Sequence, residues 1–186
     1  MRLLLTLVVL AASNSNHKRP ADMDVLRAVL RASVENPAVR AMREPAPFPL
    51  PICLSLTRLT VKEALVPGAR PMWKKKPVPT PADVARQLST SWVAVYRRQD
   101  CTQDEHGTLV PPGGIRWDKC QKDKEGRLLC FAAVPVSVSL PLWTGPDTAI
   151  VEVTSGQNLS GGTDECSVKV DETGEPHVSC VAVGQS

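Results

Sequence analysis

Aromatic residues are scarce, with four Trp, two Phe and one Tyr in 186 residues, or 4% of the chain. Binding to single-stranded nucleic acid by stacking needs aromatic platforms beside basic residues. Trp73 next to Lys74, Lys75 and Lys76 is one ring and does not make such a platform. The net charge of +3 adds little electrostatic pull toward a polyanion. No stretch approaches the ~20 consecutive apolar residues that span a bilayer. The chain also lacks a Cys-x-x-Cys, a His-Glu-x-x-His and a phosphate-cradling Gly loop. Its three histidines (17, 106 and 177) stand at no ligand spacing to one another or to cysteine. The expectation is therefore no metal, no cofactor, no nucleic acid and no membrane span.

The first residues do carry a message. Met1-Arg2 is a short positive start, and Leu3 to Ala12 is an apolar run broken only by Thr6. Small residues follow, then His17-Lys18-Arg19. This is the pattern of a secretory signal peptide. It predicts a leader of residues 1–15 and one mature domain over 16–186, periplasmic or secreted.

Six cysteines lie beyond the leader, an even number that reads as a disulfide framework in an exported chain. Val168 and Val170 alternate with polar residues, as do Val178, Cys180 and Ala182 after a turn containing Gly174. Folding these arms about Thr173 places Cys166 opposite Cys180 and Val168 opposite Val178, within disulfide reach across an antiparallel pair. A hairpin loop over residues 123–127, with Gly126 left-handed, likewise places Cys120 opposite Cys130 and Gln121 opposite Leu129. Elimination leaves Cys53 with Cys101.

Helical spacing of Met23, Leu26, Val29, Leu30 and Val34 predicts a first helix ending near Asn36-Pro37. Ten of the seventeen prolines then fall between 37 and 81, marking extended connections around one strand at Ile52–Leu59. Thr80-Pro81-Ala82-Asp83 reads as a capped helix start, with Thr80 the cap. The spacing of Val84, Leu88, Trp92, Val95 and Tyr96 carries that helix to Arg97-Arg98, although Trp92–Tyr96 also has strand composition. Beyond residue 107 the pattern turns to strands at 115–121, 127–138, 148–154, 163–170 and 177–183, separated by turn signals. Pro135 and Pro141 point to an edge strand or a bulged one. The predicted fold is α+β, with two helices packed on a C-terminal antiparallel β-meander and stapled by disulfides.

Charge is segregated along the chain. Residues 14–98 hold fifteen Lys or Arg against six acids, and residues 151–186 hold one Lys against six acids. Self-complementary packing or a solvated surface accounts for this, and the competing reading is an anion-binding patch of Arg70, Lys74, Lys75 and Lys76.

No catalytic residue is assigned. Asp104-Glu105-His106-Gly107 reads as a solvated turn, and the acid pairs Asp104-Glu105, Asp164-Glu165 and Asp171-Glu172 do not converge when neighbours on a strand point to opposite faces. The polar, Gly-flanked segment containing Gln157, Asn158 and Ser160 is the candidate binding loop, and Asn158-Leu159-Ser160 also matches a glycosylation acceptor.

The run from Leu140 through Pro146 to Val153, the Gly161-Gly162 pair, and Gly174 with a final strand to Ser186 resemble the closing hairpins of small exported bacterial proteins of unassigned function. The resemblance covers roughly the last 50 residues and implies a fold tendency rather than an activity. The sequence therefore predicts a non-enzymatic exported module for a protein or small-molecule partner. The alternatives are a secreted hydrolase built from distant residues, with His106 its named base, or an inhibitor of an exogenous enzyme presenting proline-stiffened loops.

Overall fold

Valine alternation builds the central sheet of this protein. In the computed structural model, which describes residues 19–34, 49–63, 71–91, 93–105, 107–113, 121–122, 126, 128–129, 133–156 and 162–185, the chain runs in the following order. Helix α1 (Asp22–Val34) leads into strands β1 (Leu50–Glu63) and β2 (Met72–Val78), then helix α2 (Ala82–Leu88) and β3 (Val93–Arg97). Four two-residue strands follow: β4 (Thr102–Gln103), β5 (Leu109–Val110), β6 (Gln121–Lys122) and β7 (Leu128–Leu129). The chain closes with β8 (Val134–Ser139), β9 (Leu142–Trp143), β10 (Thr148–Ser155), β11 (Gly162–Val170) and β12 (Pro176–Gln185).

The main sheet has the order β12-β11-β10-β8-β1-β2. Strands β10, β11 and β12 form the predicted antiparallel meander. The sheet extends further, because β1 pairs parallel with β8 on one side and with β3 on the other. Strands β3 and β2 follow one another along the same edge of β1, opposite residues 50–54 and 56–63 respectively. Ile52, Leu54 and Leu56, Val134, Val136 and Val138, Ala149, Val151 and Val153, and Cys166 with Val168 all face one side and are buried. Helix α1 covers them with Val25, Leu26, Val29 and Leu30, and α2 with Val84 and Leu88. Each such side chain contributes about 1.5–3 kcal/mol when fully buried. The fold is α+β, with both described helices on this face.

The second helix is shorter than its spacing predicts. It stops at Leu88, and 93–97 form strand β3 beside β1. Ser89 and Thr90 make the break: the Ser89 hydroxyl donates to the Ala85 carbonyl at 2.9 Å and accepts the Val95 N–H at 3.0 Å. Thr90 and Ser89 take up the N–H groups of Val93 and Val95, while pairing of 93–97 with β1 buries both side chains, which outweighs helical continuation. Thr80 is not the helix cap either. Its hydroxyl accepts the Leu56 N–H at 3.4 Å, and Pro81 takes the cap position without a side-chain bond.

Strand β8 lies inside the sheet, not at its edge. Pro135 is tolerated there because its carbonyl accepts the Gly156 N–H at 2.9 Å, just past the last β8–β10 pair, so its missing donor falls where the ladder ends. Pro141 marks a bulge. The register against β10 slips by one residue between Val138–Val153 and Leu142–Ile150. At the slip the Ser139 hydroxyl accepts the Glu152 N–H at 2.8 Å, and Leu140 donates to the Thr57 carbonyl at 2.8 Å.

Candidate functional site

The sheet face away from the helices is polar, and strand register arranges it in rows. Thr148, Lys169 and His177 form the first row, Ile150, Ser167 and Ser179 the second, and Glu152, Glu165 and Val181 the third. The third row sets two carboxylates directly opposite each other on neighbouring strands, an arrangement that repels unless neutralised. The far half of the β1–β2 hairpin crosses this row and neutralises it. Lys75 forms an ion pair with Glu152, whose side chain is 2% exposed, and donates to the Thr154 hydroxyl at 2.8 Å. Lys62 reaches Glu165 at 2.8 Å, and Trp73 Nε1 donates to the same carboxylate at 2.9 Å. The Lys62 ammonium also stands 5.2 Å from the centre of the Trp73 ring. The segregated charges of the sequence thus meet in the fold. Lys75 faces inward and Lys74 pairs with Glu63 at 2.7 Å, so two of the four residues of the predicted basic patch are spent on the chain's own acids.

The first two rows stay uncovered and floor a groove of about 530 Å³, walled by Thr144. A second groove of about 460 Å³ runs between α1 and the start of β12, where Ala28, Ala32, Arg27 and Arg31 face Pro176 and Val178. His177 and Val178 border both grooves. Strand β12 therefore carries a cavity on each of its faces.

Strand β12 also ends the sheet, pairing only with β11 among the described residues. The Cys166 and Cys180 Cα atoms are 4.0 Å apart, the closer spacing that marks a non-hydrogen-bonded antiparallel pair. Backbone groups of Val178, Cys180 and Ala182 consequently point away from β11, to the open edge. Pro176 belongs to the same set, where its lack of an N–H leaves the ladder intact.

The turn leading into β12 is built on Asp171. Its Oδ1 accepts from the Thr173 hydroxyl at 2.6 Å, the Thr173 N–H at 2.8 Å and the Glu175 N–H at 3.0 Å. Its Oδ2 bonds His177 Nε2 at 2.9 Å. These donors, the Thr173 hydroxyl foremost and His177 next, hold the carboxyl well below the usual carboxylate range. Asp171 and His177 resemble the acid–base half of a catalytic triad. Among the described residues, however, the ring bonds only Asp171 and no hydroxyl reaches it.

The sequence-derived residues distribute as follows. Cys53 bonds Cys101 beside Leu109 and Ala133, and Cys166 bonds Cys180 in the expected register, with Val168 opposite Val178. Gln121 faces Leu129, and Gly126 has φ near 80°, as the hairpin reading requires. Cys120, Cys130, Gln157, Asn158, Ser160, His106 and Arg70 lie outside the described residues. Asp104 is part of a turn, its carboxylate accepting the Thr108 N–H at 2.8 Å. The Glu152–Glu165 pair and the two grooves escaped the sequence reading. The one available signal was a glutamate inside the apolar run Ile150-Val151-Glu152-Val153.

Among the described residues no helix is long and apolar enough to cross a membrane, and no group of three or more His, Cys, Asp or Glu converges. No protein-family model, no curated protein and no solved structure matches this chain.

Proposed function

We propose that this chain is a non-enzymatic binding module working in an exported, oxidising compartment. The uncovered groove over Thr148, Lys169, His177, Ser167 and Ser179 carries the reading, because its hydroxyl and cationic donors sit on a rigid antiparallel floor. The Cys53–Cys101 and Cys166–Cys180 disulfides add to that rigidity and fit an oxidising environment. The apolar leader of residues 3–12 and the likeness of residues 140–186 to exported hairpin proteins point the same way.

A fluorophosphonate probe applied to the exported protein tests this against a serine hydrolase. The module reading expects no serine adduct. An adduct that disappears in His106→Ala or His177→Ala overturns it. Intact mass tests the compartment: loss of 13–15 residues supports export, and a retained leader with alkylatable thiols refutes it.

A further inference from the structure

We infer that the open edge of β12 receives an extended segment of a partner protein whose side chains alternate between acidic and apolar. The inference rests on the binding-module reading and gives it a ligand class. Edge strands bind extended segments through main-chain hydrogen bonds, and specificity comes from pockets that take alternate side chains. Both requirements meet at β12. Its outward backbone groups at Val178, Cys180 and Ala182 repeat every second residue. An added strand would send successive side chains to opposite faces, one toward the groove beside Thr144 and the next toward the groove beside α1.

The two grooves want different chemistry. The one beside Thr144 holds Lys169, which has no ion pair among the described residues, with His177 directly across from it and the Ser167 and Ser179 hydroxyls in the next row beside Ile150. Asp171 stays anionic, but its Oδ2 is directed at His177, which leaves Lys169 the groove cation with no ion pair among the described residues. An acidic side chain complements that groove. The other is also lined by Arg31 and Glu175, but Arg27 is paired with Asp24 at 2.9 Å, and Ala28, Ala32, Pro176 and Val178 leave an apolar strip that an apolar side chain fits. The edge carries none of the lysines that commonly block strand addition. A second copy of β12 is a poorer occupant, because Pro176 to Gln185 contains no acid to meet Lys169.

The test uses the oxidised full chain and a fluorescein-labelled octapeptide of four Glu-Val repeats, read by fluorescence anisotropy. Saturable binding is expected. It should weaken at least tenfold for a Lys-Val octapeptide, and equally for a Glu-Val peptide N-methylated at alternate residues, which keeps its side chains but loses strand donors. Ala182→Pro removes an outward donor and not a β11 ladder bond, so it should also weaken binding tenfold, while Lys169→Glu should reverse the Glu-over-Lys preference. Equal binding of the N-methylated or Lys-Val peptide overturns the inference. So does absence of binding at millimolar peptide, or a β12-mediated dimer that Ala182→Pro dissolves. If the peptides fail and no fluorophosphonate adduct forms, the module reading stands and this ligand class falls.

Discussion

A Cβ placed on Gly156 would stand 2.5 Å from Cγ of Pro135 and 2.9 Å from its Cδ. The proline ring occupies the space that any other residue at 156 would need, at the point where β8 and β10 part. Gly156→Ala should therefore destabilise the protein by about 1–3 kcal/mol through overpacking. Pro135→Ala removes the ring, and adding it to Gly156→Ala should recover most of that loss. Urea unfolding of the two single variants and the double variant checks the coupling. Additive effects would show that the two residues do not interact.

The Lys75–Glu152 pair invites a second cycle. Lys75→Met leaves a buried carboxylate without its counter-ion, and breaking such a pair typically costs about 3–5 kcal/mol. Because Lys75 keeps 28% of its side chain exposed, the lower end of that range is expected. Lys75→Met combined with Glu152→Leu should restore most of the stability, since apolar replacement of a buried pair is often neutral. A Lys75→Met protein as stable as the parent in chemical denaturation would show that the hairpin is not held by this contact.

Asp171 gives a pH dependence with a definite sign. Its folded carboxyl titrates below the ordinary value of ~3.9, so the unfolded chain takes up the proton first as pH falls. Its stabilisation is fully present above about pH 5 and declines as pH drops below about 4. The gap in unfolding midpoint between the parent and Asp171→Asn should be constant near neutrality and narrow in that acid range. Carbon-detected titration of the Asp171 carboxyl should give a midpoint below that of an unstructured peptide. A midpoint at or above ~3.9 would contradict the bonding described at the turn.

The two disulfides among the described residues should contribute unequally. Cys53 and Cys101 are 48 residues apart, and Cys166 and Cys180 are 14 apart. Loop-closure entropy assigns about 4 kcal/mol to the longer link and about 3 kcal/mol to the shorter. Paired Cys→Ala substitutions should lower the thermal midpoint more at 53/101 than at 166/180. The opposite order would mean that chain entropy does not dominate at these sites.

The closing strands were legible because their signals are local. Alternation of Val168, Val170, Val178 and Cys180 about a Gly174 turn determines both strand and register, and a slip of one residue would turn every valine to the wrong face. Helix α1 was legible from its stripe. The segment 93–97 was not, because its apolar residues fit either period, and the parallel neighbour β1 decided it. Pro135 and Pro141 pointed to an edge or a bulged strand, and β8 is an interior strand with a register slip near Pro141, since no sequence rule says which backbone donor a fold leaves unused.

The amino-acid order by itself determined the α+β class, the meander, the Cys166–Cys180 pairing and the acidic and basic halves of the chain, all set by turn chemistry, periodicity or charge within short stretches. Tertiary structure alone decided that β1 lies parallel between β3 and β8, that Lys62 and Lys75 lie over Glu165 and Glu152, and that β12 ends the sheet between two grooves. Those features join residues up to 103 positions apart. They arise from which faces can be buried together, a property of the packed chain that no local pattern encodes.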